Sequence, residues 1–264
     1  MIKAVVFDLQ KIELSEDCSF LKNAKLAGLK LASVAEDATP FKDRPNPELY
    51  QQAFLSLGAG CDETVIISDS PLAQRTARNA KCVSVGLGSS DNEKPFILKG
   101  CDLFLARLED FPAFSTLEEF DALLNKEVRA FYDRTIIGTL MKTAIKVREN
   151  AYAPYSNFKV GAGLLTGTGK VYAGCNVENA SLGATICAER GASMAAIAAE
   201  GKKQFQMIAI ASSAEDPAPP CAICRQFLSE FMPPDGQVFM IGVTNGVIKH
   251  YSFEALLPCT FTEF

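Results

Sequence analysis

Short apolar runs at residues 2 to 7, 29 to 34, 64 to 68, 82 to 87 and 102 to 105 alternate with helix-compatible stretches, clearest at 47 to 57 and 71 to 80. Runs this short suit buried strands better than buried helices, and their alternation with helices predicts a parallel α/β sheet. The rhythm changes between about residues 107 and 120. There Phe111-Pro112-Ala113-Phe114-Ser115-Thr116 reads as a connector, with Ser115 or Thr116 as the N-cap of a long helical stretch to about 150 and Glu118 and Glu119 in its first turn. Residues 158 to 166 and 170 to 175 predict a hairpin across Gly167-Thr168-Gly169. Helices are expected to begin near 187 and 221, each preceding a strand, at 205 to 212 and 237 to 243. The pattern divides the chain into a domain at 1–110, a linker and helix start at 111–126, and a second domain at 127–264.

Composition narrows the chemistry. A single histidine, His250, cannot build zinc sites that need several imidazoles, and it reads as a surface or internally bonded ring at a strand end. Nine cysteines, an odd number in 264 residues, do not form the paired framework of a small secreted domain. Reduced thiols in a cytoplasmic protein are the expectation. No apolar run is long enough for a signal peptide or a membrane span. The net charge of −5 is shared by both halves, which disfavours nucleic acid and favours small-molecule partners.

Four residues in two runs carry the strongest chemical signal: Cys187 and Glu189 in Cys187-Ala188-Glu189-Arg190, and Cys221 and Cys224 in Pro220-Cys221-Ala222-Ile223-Cys224-Arg225. Three thiolates can hold zinc and leave a fourth position open, with a carboxylate nearby to handle protons. At helix N-termini, positive partial charge helps to keep the thiolates ionised, and Arg190 and Arg225 are placed to donate hydrogen bonds to the sulfurs. A lone Cys-x-x-Cys also fits structural zinc or redox chemistry. Cys175 and Cys259 are the candidates for a closing fourth ligand, but neither has a partner at ligand spacing. Cys18, Cys61, Cys82 and Cys101 read as small apolar fillers.

The runs Ala153-Pro154-Tyr155-Ser156-Asn157-Phe158, Val160-Gly161-Ala162, Gly174-Cys175-Asn176-Val177-Glu178-Asn179-Ala180, the two cysteine runs and Leu256-Leu257-Pro258 together resemble cytidine deaminases of the small-subunit, three-cysteine type over residues 127 to 262. The resemblance implies Zn2+ on Cys187, Cys221 and Cys224, water activated for attack on C4 of a cytidine or deoxycytidine base, and Glu189 carrying protons to N3 and then to the departing amine. It further implies that Asn176 and Glu178 hold ribose hydroxyls, that Phe158 lines the base pocket, that Ala188 is substrate-binding, and that the enzyme is a homotetramer in which Phe261 reaches a neighbour's site. Ala222, Ile223 and Leu182 depart from the common pattern and bear on pocket shape.

The first half resembles a haloacid dehalogenase-like hydrolase through Val5-Val6-Phe7-Asp8, Leu31-Ala32-Ser33, Arg44-Pro45-Asn46-Pro47-Glu48 and Ile67-Ser68-Asp69-Ser70-Pro71. Asp8 matches the nucleophile, Ser33 a phosphate-binding hydroxyl, Asp69 a Mg2+ ligand and Arg44 the phosphate-binding cation. Gln10 stands where that family has its general acid/base, and the chain between Asp8 and Ser33 is too short for a cap domain. The expectation is a Rossmann-like domain without catalysis, with residual Mg2+ or phosphate binding at Asp8, Ser33 and Asp69, joined to an α/β/α cytidine deaminase-like domain. A bifunctional phosphohydrolase-deaminase and a non-catalytic zinc-stabilised binding module are the alternatives.

Overall fold

A computed structural model describes residues 1–34 and 48–261. The chain divides into two compact units, Met1–Tyr132 and Asp133–Phe264. In the first, strands β1 (Ala4–Asp8), β2 (Lys30–Ser33), β3 (Thr64–Ser68), β4 (Val83–Leu87) and β5 (Leu103–Leu105) form an all-parallel sheet in the order β2-β1-β3-β4-β5. All five residues of both β1 and β3 are buried, as expected where crossover helices cover both faces. Those helices are α1 (Ser19–Leu26), α2 (Glu48–Ser56), α3 (Pro71–Asn79) and α4 (Glu93–Leu98).

The segment expected to be a linker, 111–126, falls inside this unit. Phe111, Phe114 and Phe120 pack with Phe20, ring centroids 4.8 to 6.0 Å apart, so the apparent connector is part of an aromatic core. The helix that follows, α5 (Leu117–Arg134), begins at the expected cap: Thr116 Oγ1 accepts from the Glu119 amide at 3.2 Å. Its far end is tied in by Tyr132, whose hydroxyl donates to Asp102 Oδ1 at 2.5 Å, while the other Asp102 oxygen pairs with buried Arg78. The long helical stretch to 150 is two helices. Thr135, with φ −105° and ψ 179°, is extended and caps α6 (Ile136–Arg148).

In the second unit β6 (Val160–Thr166), β7 (Val171–Cys175), β8 (Phe205–Ser212), β9 (Gln237–Gly242) and β10 (Ile248–Ser252) form a mixed sheet ordered β10-β9-β8-β6-β7, parallel only between β8 and β9. Helix α6 lies on one face. A Cβ at Gly161 would sit 2.1 Å from the Ala144 carbonyl, so only glycine lets α6 come this close. Helices α7 (Ala188–Glu200) and α8 (Ala222–Ser229) cover the other face, where Ala188, Ala192, Ala196 and Leu228 pack with Ala162, Leu164, Ile208, Ile210, Val238 and Met240. The result is an α/β/α layering. A short helix, α9 (Phe253–Leu256), follows β10. His250 in β10 is internally bonded, stacked 3.9 Å from Phe239 and 2.8 Å from Gln237 Oε1. Among the described residues no helix is long and apolar enough to cross a membrane.

Candidate active site

Cys187 and Cys221 are the N-cap residues of α7 and α8, and Cys224 lies in the first turn of α8. Parallel packing of β8 beside β9 directs both helix starts to one end of the sheet. The three sulfurs lie within 4.8 Å of one another, and Cys187 Sγ is 3.8 Å from Cys221 Sγ. Tetrahedral zinc with bonds of about 2.3 Å requires ligand sulfurs about 3.8 Å apart, which is the separation of Cys187 and Cys221, and three thiol donors suit that metal in chemistry. Among the described residues this is the one cysteine or carboxylate cluster with metal-ligand proximity, and it includes neither Cys175 nor Cys259.

The surroundings favour ionised sulfur at Cys187, while the hydrogen bond to Cys187 and burial hold the Cys224 thiol above its usual range. Arg190 donates from Nη2 to Cys187 Sγ at 3.5 Å and to the Thr185 carbonyl at 2.8 Å. The Cys224 amide donates to Cys221 Sγ at 3.4 Å. Hydrogen bonds from Cys224 and Arg190 hold the Cys187 thiol well below its usual range. Arg225 turns elsewhere: its Nη1 donates to the Leu256 carbonyl at 2.8 Å and ties α8 to α9. Glu189, in the first turn of α7, is only 4% exposed, and burial pushes its carboxyl up to about 7. Ala188 beside it is fully buried.

A second group of polar residues borders the cluster. Val177 pairs with Ile186, the residue before Cys187, through hydrogen bonds of 2.9 and 3.0 Å, which brings Asn176 and Glu178 alongside the start of α7. Asn176 is buried and clamps the preceding loop: its Oδ1 accepts from the Val160 amide at 2.8 Å and its Nδ2 donates to the Phe158 carbonyl at 2.9 Å. Glu178 accepts the amides of Tyr155 and Ser156 at 2.9 and 3.2 Å, and the Ser156 hydroxyl. Phe158 is 37% exposed and Phe261 61%, and the Phe261 carbonyl accepts from Gln226 Nε2 of α8 at 2.6 Å. Sequence reading assigned no role to Ser156, because its partner is 22 positions away.

In the first unit Asp8, Ser33 and Asp69 stand at or just beyond the C-terminal ends of β1, β2 and β3. Asp8 is buried and accepts the Tyr50 hydroxyl, and burial raises its carboxyl above the usual range. Asp69 faces inward to its own chain: its carboxylate accepts the amides of Gln10, Lys11 and Ile12 at 2.6 to 3.1 Å. Ser33 is exposed, and Arg44 lies outside the described residues.

Residues 135–240 match a family described as the cytidine and deoxycytidylate deaminase zinc-binding region. A cytidine deaminase of Halalkalibacterium halodurans is 46% identical over 123 residues, covering 47% of this chain and 92% of that protein. A probable cytidine deaminase of Dictyostelium discoideum is 44% identical over 117 residues, covering 44% of this chain and 77% of its own. Of solved structures, a cytidine deaminase from Burkholderia pseudomallei aligns at 44% identity and a TM-score of 0.45, over 47% of this chain and 98% of that one.

Proposed function

This chain belongs to the cytidine deaminase family, and from that membership we propose that it is a zinc-dependent hydrolase converting cytidine and deoxycytidine to uridine and deoxyuridine with release of ammonia. The observation that carries the reading is the cluster of Cys187, Cys221 and Cys224 at two helix N-termini, with buried Glu189 two residues along from one of them.

Cys187, Cys221 and Cys224 would hold the metal, and zinc so bound supplies a Lewis acid that makes water a stronger nucleophile near neutral pH. Glu189 takes a proton from the attacking water and passes it to N3 of the pyrimidine as oxygen adds to C4. The same carboxylate then takes the proton of the new C4 hydroxyl and delivers it to the 4-amino nitrogen, so that C4=O forms as the C4–N bond breaks and ammonia leaves. Arg190 offsets the excess negative charge of three thiolates through its bond to Cys187. Asn176 retains one amide hydrogen and Glu178 a free lone pair beyond their loop contacts, a donor and an acceptor that complement a sugar hydroxyl. Phe158 and Ala188 line the base pocket in this reading.

The active form is a homotetramer, with Phe261 serving a neighbouring site. Its exposure supports that role, as does the exposure of Ile145, Leu182, Met194 and Ile223. The free state of all nine cysteines supports a cytoplasmic enzyme. The first unit is a haloacid dehalogenase-like domain without phosphohydrolase activity. Gln10 cannot exchange a proton, and Asp69 Oδ2 is taken up by the amides of Lys11 and Ile12 while the Gln10 amide is shared between both oxygens, so the carboxylate serves the loop that follows β1.

Ammonia release from cytidine and deoxycytidine tests the deaminase reading. Turnover that disappears with a zinc chelator and returns on adding Zn2+ is expected; turnover indifferent to chelation, or none on either nucleoside, overturns it.

A further inference from the structure

We propose that Ser156 is a positioning residue for the sugar of the nucleoside, acting through Glu178; this rests on the reading of Glu178 as a sugar ligand.

The hydrogen bonds run in one direction. The Phe158 amide, which can only donate, reaches Ser156 Oγ at 3.0 Å. The Ser156 hydroxyl hydrogen is thereby free for Glu178 Oε1, which can only accept. On the other oxygen, Oε2 takes the amides of Tyr155 and Ser156. An ionised carboxylate has about four acceptor positions, so three are committed to the loop and one, on Oε1, is left for a hydroxyl of the ligand. The Ser156 bond sets where that last position points.

The loop itself needs the anchor. Asn157 adopts φ +56°, a left-handed conformation that non-glycine residues hold at a cost, and its amide closes back on the Ala153 carbonyl at 3.0 Å. Ser156 is exposed, so no core packing accounts for its orientation. Its hydroxyl joins the backbone of Phe158, assigned to the base, to the carboxylate assigned to the sugar. Neither Ser156 nor Glu178 is on α7, which carries Glu189, so the chemical step is separable from this contact.

The test compares KM and kcat for cytidine with inhibition constants for uridine and for 2′,3′-dideoxyuridine, which lacks both ring hydroxyls, in the full-length enzyme. Ser156→Ala is expected to raise KM for cytidine and the inhibition constant of uridine about tenfold, with kcat within about twofold and 2′,3′-dideoxyuridine nearly unaffected. Equal weakening of both inhibitors, or a loss confined to kcat, overturns the positioning role. Glu178→Gln separates the two readings. If it discriminates between the inhibitors and Ser156→Ala does not, the inference about Ser156 fails alone; if Glu178→Gln weakens both equally, the assignment of Glu178 to the sugar fails.

Discussion

Glu189 has a buried carboxyl beside three sulfurs, and its proposed work is to gain and lose a proton twice in each turnover. Glu189→Gln keeps the size and shape of the side chain and leaves every sulfur ligand in place. The variant is therefore expected to retain zinc and its melting temperature while deamination falls at least about a hundredfold, checked by metal analysis beside ammonia release. A variant keeping a tenth of normal turnover would remove Glu189 from that role. Cys224→Ala has a different expected signature. Cys224 is fully buried in the first turn of α8, so truncating its side chain removes a ligand and leaves a buried gap. Zinc content and thermal stability should fall together, because the free energy of metal binding is part of the free energy of folding.

At the scale of elements, the site depends on how closely α7 lies against β7. A Cβ at Gly174 would fall 2.1 Å from the Ala192 amide and 2.5 Å from the Ala188 carbonyl, and both neighbours are backbone that cannot rotate away. Gly174→Ala must therefore push α7 off the sheet. A stability loss of about 1–3 kcal/mol is expected from overpacking, and since α7 starts at Cys187 and carries Glu189, activity should fall with it. Chemical denaturation and ammonia release on one preparation check this. Unchanged stability would mean that the helix has room the structure does not show.

For the whole molecule, the two units call for separate measurements. The intact protein is expected to run as a tetramer by light scattering, and Phe261→Ala to raise KM for cytidine while leaving that mass unchanged. A fully active monomer would refute the contribution of Phe261 to a neighbouring site. The first unit is expected to release no phosphate from sugar phosphates or nucleotides. In the proposed reading Asp8 and Asp69 are the carboxylates that would face substrate, and here Asp8 accepts the Tyr50 hydroxyl and Asp69 the amides of Gln10, Lys11 and Ile12. Phosphate release by the intact chain that vanishes in Asp8→Asn would restore the bifunctional reading.

The residues at the candidate metal centre were legible because their signal is local. Three-residue spacing puts Cys221 and Cys224 on one side of a helix start, Pro220 suits the position before it, and the apolar runs of β1, β3 and β8 stand out in any order of packing. Other features depend on partners far along the chain. Phe111 and Phe114 looked like a connector until Phe20 and Phe120 supplied an apolar surface for them. The break at Thr135 follows a helical pattern that reads as continuous, Arg225 finds the Leu256 carbonyl 31 positions on, and Ser156 finds Glu178. Strand and helix preference is set by side-chain pattern over a few residues. Which polar group bonds to which is decided only when packing brings distant segments within about 3 Å, because a hydrogen bond contributes nothing until its partner is there.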